Sequence, residues 1–180
     1  MEEWLKFKGN KILQKIGFKE NQTIIDFGCG SGIYTLLLSK IVGSKGMIYA
    51  IDSDDDAIKK LKNIIKERNI QNINPIKTSG EMKIPLKNEI ADAFLLYDVY
   101  HLLDNEQRDE ILKEAQRLLK KNGFISYLAT HLGNVYNVSL ENVNKRMKQF
   151  FFELKEEFCE PIVHWGSIEE CNIYNYYKIK

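Results

Sequence analysis

Asp26-Phe27-Gly28-Cys29-Gly30-Ser31-Gly32 follows the apolar run Thr23-Ile24-Ile25 and precedes Tyr34-Thr35-Leu36-Leu37-Leu38, which reads as the start of a helix. Alternate glycines permit a sharp turn and let a ligand come close to the backbone. The spacing is not the dinucleotide pattern G-x-G-x-x-G, because Ile33 stands at its third glycine and Gly32 comes one residue early. The acid Asp26 suits a ligand carrying positive charge rather than a pyrophosphate. A bare strand-to-helix turn would not require three glycines and an acid together. A second acid, Asp52, ends the run Ile48-Tyr49-Ala50-Ile51 about 20 residues further on, where a carboxylate can accept ribose hydroxyls. Its structural alternative is an acid favoured by a helix dipole, a reading that fits Asp54, Asp55 and Asp56 better. Ser53 stands beside it as a candidate adenine contact. Among groups that titrate near neutral pH, His101 and His131 are candidate bases, with Tyr100 beside the first. Core packing for Tyr100 and a satisfied structural role for His101 are the competing readings.

These residues need elements to hold them. Residues 2–16 read as an amphipathic helix, with Trp4, Leu5, Ile12, Leu13 and Ile16 on one face. Strands are expected at Thr23–Phe27, Met47–Ile51, Ile73–Lys77, Ala91–Tyr97 and Phe124–Ala129. Helices are expected from Ser31 to Val42, from a Ser53 cap with Asp56, and from an Asp104 cap with Gln107 to Asn122-Gly123. A last helix starts at Ser139, with Leu140, Val143, Met147, Phe150 and Leu154 at helical spacing. Two terminal strands, Glu160–Ser167 and Cys171–Ile179, are joined through Glu169-Glu170 as an antiparallel hairpin that leaves His164 at the surface. Strands separated by helices make an α/β fold with a doubly wound, mostly parallel sheet. Ligands of such sheets lie outside the carboxyl ends of the strands. That rule gathers Asp26–Gly32, Asp52, Ser79–Met82, Tyr97–His101 and Thr130-His131 as site segments.

The glycine turn with Asp26 and Asp52 resembles the first motifs of the class I, Rossmann-like S-adenosylmethionine-dependent methyltransferases. Ser79-Gly80-Glu81-Met82-Lys83-Ile84-Pro85-Leu86 and the Asp92 strand are similar to a later loop of its small-molecule members, although the family acid falls at Gly80 and Glu81 comes one residue late. Leu119-Lys120-Lys121-Asn122-Gly123 resembles a structural turn of the family. The resemblance implies seven strands in the order 3-2-1-4-5-7-6, the last antiparallel, with helices on both faces. It implies one domain over 1–180: an N-terminal helix covering the site (1–20), a cofactor-binding core (21–130), and a helix with the terminal hairpin (131–180). It implies S-adenosyl-L-methionine as cofactor, held by Asp26, Gly28, Cys29, Gly30, Gly32, Tyr34, Asp52, Ser53, Gly80, Glu81, Met82 and Tyr97. Adenine contact is open between the Glu81 side chain and a backbone contact at Gly80 or Glu81 with Met82 packing on the ring. Tyr100, His101 and His131 are the groups that could face a methyl acceptor, and Asn10 and Tyr136 could line its pocket.

A chain of 180 residues, 44% apolar and 28% charged, fits a globular protein. Its net charge of +1 gives no strong nucleic-acid signal. No apolar run reaches a membrane span, the start is unlike a secretory signal, and a cytoplasmic location is the default expectation. Cys29, Cys159 and Cys171 have neither metal-ligand nor disulfide spacing, and no metal is expected. No Asn-Pro-Pro-aromatic or Asp-Pro-Pro-aromatic motif follows the fourth strand, which leaves a small-molecule acceptor as the expectation. The competing functions are a cofactor-binding protein of this fold without catalysis and an NAD-linked oxidoreductase.

Overall fold

Short apolar runs between amphipathic helices form strands buried on both faces, as parallel sheets require. The computed structural model describes residues 2–133, 135, 136 and 138–180. Seven strands, β1 (Thr23–Phe27), β2 (Met47–Asp52), β3 (Ile73–Lys77), β4 (Ala91–Leu96), β5 (Leu119–Leu128), β6 (Phe152–His164) and β7 (Ser167–Lys178), are ordered β3-β2-β1-β4-β5-β7-β6. The helices are α1 (Gly9–Ile16), α2 (Ile33–Val42), α3 (Asp55–Glu67), α4 (Asn105–Leu118) and α5 (Leu140–Gln149). The expected order and the antiparallel seventh strand are both present. The chain divides into two compact units, Met1–Glu81 and Met82–Lys180.

In the first unit, β1 pairs in parallel with β2, and β2 with β3. Ile24, Ile25, Ile48 and Ile51 are fully buried. β3 lies at the sheet edge, where Pro75 is tolerated because its missing N–H removes no ladder bond from an interior strand. The expected first helix is a π-helical turn, Trp4–Lys8, running into α1. The cap of α3 is Asp54 rather than Ser53: its carboxylate accepts from Asp56 N at 2.8 Å and Ala57 N at 3.4 Å. The shift follows from Asp52, which stays in β2 and whose Oδ1 accepts from Asp54 N at 2.9 Å, so the chain needs one more residue before the helix.

In the second unit, β4 pairs in parallel with β5, β5 antiparallel with β7, and β7 antiparallel with β6. Asp104 caps α4 in a full capping box with Gln107, as its spacing predicts. That helix ends at Leu118, four residues before the expected Asn122-Gly123 stop. Leu119 already pairs with Ala91, and Asn122, at φ 67°, absorbs an irregularity before Phe124 resumes pairing with Ala93. Lys120 secures that segment through an ion pair with Asp92 at 2.9 Å. α5 stops at Gln149, and Phe151 at φ 63° turns the chain into β6, so Leu154 is a strand residue rather than part of a helical stripe.

The terminal hairpin also differs. His164 pairs with Ser167 across Trp165-Gly166, not across Glu169-Glu170. Both turn residues have positive φ, 43° and 83°, as the tightest hairpin turns demand. Moving the turn lengthens both strands and brings His164 to the end of β6, where its side chain is only 11% exposed rather than at the surface.

Asp104→Ala removes a cap that serves Gln107 N at 2.9 Å. The expected cost is about 1 kcal/mol, read as a lower urea midpoint with an unchanged slope.

Candidate functional site

The first unit builds its turn from three left-handed glycines. Gly28, Gly30 and Gly32 have φ of 75°, 49° and 76°, a region that other residues adopt at a cost. A Cβ at Gly32 would lie 2.8 Å from Leu61 Cδ1, so helix packing as well as φ excludes a side chain there. The N–H groups of Gly28 and Cys29 both donate to Ile51 O, at 2.8 and 3.0 Å, which anchors the turn to β2. Gly30 N donates to Asp52 Oδ2 at 2.7 Å. Asp52 therefore spans the glycine turn and the start of the α3 cap, and each of its oxygens keeps acceptor capacity for a further donor. Hydrogen bonds to a charged group of this kind contribute roughly 1.5–3 kcal/mol.

Asp26 is almost wholly buried at the end of β1 and accepts from Thr35 Oγ1 at 2.5 Å. Burial pushes its carboxyl up to about 6, against the lowering effect of the Thr35 bond and with a further push from Asp52. Cys29 is buried, and burial with the nearby Asp26 and Asp52 pushes its thiol up, which keeps it unreactive. Tyr34 lies in the first turn of α2. Ser53 is exposed between β2 and the Asp54 cap. Gly80, at φ 98°, has open space around it, and exposed Glu81 folds back to accept from Ser79 N at 3.0 Å. Asn10 Oδ1 is buried and takes no hydrogen bond among the described residues.

The second unit gathers its polar groups where β4, β5 and β6 end. Tyr97 is buried and its hydroxyl lies 2.9 Å from Ser126 Oγ. Met82 is buried. Tyr100 is buried edge-on against Tyr127, with Arg108 over its ring, and burial pushes its hydroxyl up to about 12. Tyr100 thus keeps its proton at neutral pH. His101 and His131 come together, their ring centroids 4.0 Å apart, with Tyr136 edge-on to both. Burial, helped by neighbouring His131, pushes His101 down to about 4. Burial and then His164 also lower His131.

Three participants were not singled out from sequence. Asp98 Oδ1 accepts from Thr130 Oγ1 at 2.6 Å and lies 2.8 Å from His164 Nδ1. Trp165 sits over His131 at 4.3 Å. The one local signal was Gly166, a turn residue that moves His164 to the strand end, but the bulky Trp165 before it masks that signal. Beside this cluster, a cavity of about 310 Å³ is lined by Tyr100, Arg108, Val138 and Arg146 among others. Its arginines are already engaged, Arg108 with the carbonyls of Tyr100, His101 and Tyr136 and Arg146 with Asp109.

The stability of the fold depends on pH through Asp26. The unfolded chain releases this proton near 3.8 and the folded chain near 6, so the folded state binds more protons in between. Stability from this group is therefore lost as pH rises from about 4 to about 6 and stays lower above that. Asp26→Asn keeps an acceptor for Thr35 and removes the charge. Relative to wild type it should gain on the order of 2 kcal/mol between pH 4 and 7 in urea unfolding, with the difference flat above pH 7.

Residues 24–123, more than half of the chain, match the family described as a methyltransferase domain. A demethylmenaquinone methyltransferase of Lactobacillus johnsonii is 27% identical over 120 residues, which are 67% of this chain and 48% of that protein. The chain spans about half the length of the curated relatives it matches. The fold is shared with a SAM-dependent methyltransferase from Aquifex aeolicus, at a TM-score of 0.78, 23% identity, and coverage of 98% of this chain and 93% of that one. A TehB-like SAM-dependent methyltransferase from Corynebacterium glutamicum superimposes at a TM-score of 0.70 with 17% identity, covering 94% of this chain and 86% of that one. With the glycine turn and strand order already described, the match places this chain in the methyltransferase domain family.

Proposed function

We propose that this chain transfers a methyl group from S-adenosylmethionine to a small-molecule acceptor. The observation that carries the reading is the Asp52 carboxylate, fixed to the glycine turn by Gly30 and still able to accept two hydroxyl donors. The turn fits an adenosyl ligand because Gly30 leaves its backbone uncovered, and Gly80 adds a second stretch of open backbone. Bound there, the cofactor supplies a methyl group on a positively charged sulfur.

In this reading Asp52 accepts from the ribose, with Ser53 beside the adenine. Gly28, Cys29, Gly30, Gly32 and Tyr34 present the turn. Asp26, ionised for the most part at neutral pH, supplies negative potential suited to the cationic portion of the cofactor. Gly80, Glu81, Met82 and Tyr97 complete the cofactor contacts. His101, Tyr100 and His131 face the acceptor. Methyl transfer is an in-line displacement that depends on alignment and exclusion of water. A base is needed only for an acceptor that arrives protonated. The near-neutral net charge supports a small acceptor over a nucleic acid.

Calorimetric titration with S-adenosylhomocysteine, and with NADH in parallel, tests this. The expected result is binding of the first alone, weakened at least about tenfold by Asp52→Asn through loss of charge-assisted hydrogen bonds. Binding of NADH alone, or of neither, contradicts the reading.

A further inference from the structure

We propose that Asp98, His131 and His164 bind one divalent transition-metal ion of the zinc class. The site lies wholly within the second unit; it shares His131 with the acceptor-facing groups of the proposed function, and binding of the ion does not require methyl transfer. Sequence spacing gave no hint of it, because its members are separated by whole strands.

One ligand atom from each of the three residues lies within 4.8 Å of the others. The chain has three histidines, and all of them meet here: His131 is 4.0 Å from His101 and 4.8 Å from His164 between ring centroids. Asp98 follows β4, His131 follows β5 and His164 ends β6, so the set sits at strand ends, on a scaffold of paired backbone.

Unpaired atoms are the second observation. Nε2 of His131 and Nε2 of His101 are buried without a hydrogen-bond partner among the described residues. His101 as a whole is only 6% exposed. Leaving a buried imidazole nitrogen unpaired forfeits its hydration with no bond in return. A direct Asp98–His164 hydrogen bond accounts for those two residues and leaves His131 unexplained. A metal ion supplies the missing partner for His131 and holds all three residues at once.

Supporting groups match what metal ligands need. Thr130 Oγ1 donates to Asp98 Oδ1 at 2.6 Å and orients the carboxylate. Asp98, His131 and Trp165 all hold positive φ, at 54°, 53° and 43°. Such conformations are unfavourable for non-glycine residues and persist where surrounding structure enforces them.

The donor set names the metal class. Two imidazoles and one carboxylate suit Zn(II), Fe(II) or Co(II), not the all-oxygen shell of Mg(II) or Ca(II) nor the thiolate shell of Cu(I). Three protein ligands leave a coordination position for water or an exogenous oxygen, nitrogen or sulfur donor. With the ion present, the His131 lone pair goes to the metal, and lowering the pKa of a bound donor becomes the ion's role.

The test uses the full chain, stripped with chelator and dialysed. Zn(II) is titrated by calorimetry, and Co(II) by visible absorption and by quenching of Trp165 fluorescence. One ion per chain is expected. His131→Gln, His164→Gln and Asp98→Asn should each weaken binding at least about tenfold while far-ultraviolet circular dichroism stays unchanged. Trp165→Phe should abolish the quenching and keep the binding. Absence of Zn(II) and Co(II) binding by the wild type overturns the proposal. So does binding that survives in both histidine variants, or binding lost in Cys159→Ser, which would assign the ion to an exposed thiol.

Discussion

The contact between Gly30 N–H and the Asp52 carboxylate fixes the shape of the first unit's functional end. Without it the glycine turn would be tied to β2 through the two amides that reach Ile51 O. With it, the end of β2, the turn after β1 and the entry to α3 share one anion. The two oxygens divide the work: Oδ2 holds the turn and Oδ1 holds the backbone leading to the Asp54 cap. A carboxylate placed this way is preorganised, so a hydroxyl-bearing ligand meets an acceptor whose position is already set. The positive φ of the three glycines is the backbone requirement that makes this arrangement possible.

Polar groups are handled differently in the two units. In the first, a buried carboxylate is kept tolerable by hydrogen bonds from the Thr35 side chain and backbone, and its proton affinity rises because burial outweighs them. In the second, an aspartate and three histidines share a partly buried space with aromatic walls. Burial lowers His101 and His131 together, which avoids two adjacent positive charges. Both devices place costly groups at strand ends, where parallel sheets expose backbone and loops.

Much of the fold was legible because its signals are local. β1 and β3 run over the residues that their apolar runs indicate, and Asp104 with Gln107 forms the capping box that the spacing demands. Errors arose where two signals competed. Asn122-Gly123 reads as a helix stop, yet pairing of Leu119 with Ala91 takes the chain into β5 first. Trp165-Gly166 reads poorly as a turn because a bulky residue must adopt positive φ, yet pairing of His164 with Ser167 requires it. That misplaced turn concealed His164. The glycine turn and Asp52 were visible because their residues lie close together in sequence. The grouping of Asp98 and His164 with His131 was not, since the pairing of the second unit's strands brings them together.

The most direct measurement is a nitrogen-15 amide spectrum of the full chain titrated with S-adenosylhomocysteine. The account predicts that the Gly28, Gly30 and Gly32 amides shift saturably, that Asp54 shifts with them through the shared Asp52 carboxylate, and that Asp52→Asn shifts the titration to higher ligand concentration. Saturable shifts confined to other segments, with these amides unmoved, would contradict it.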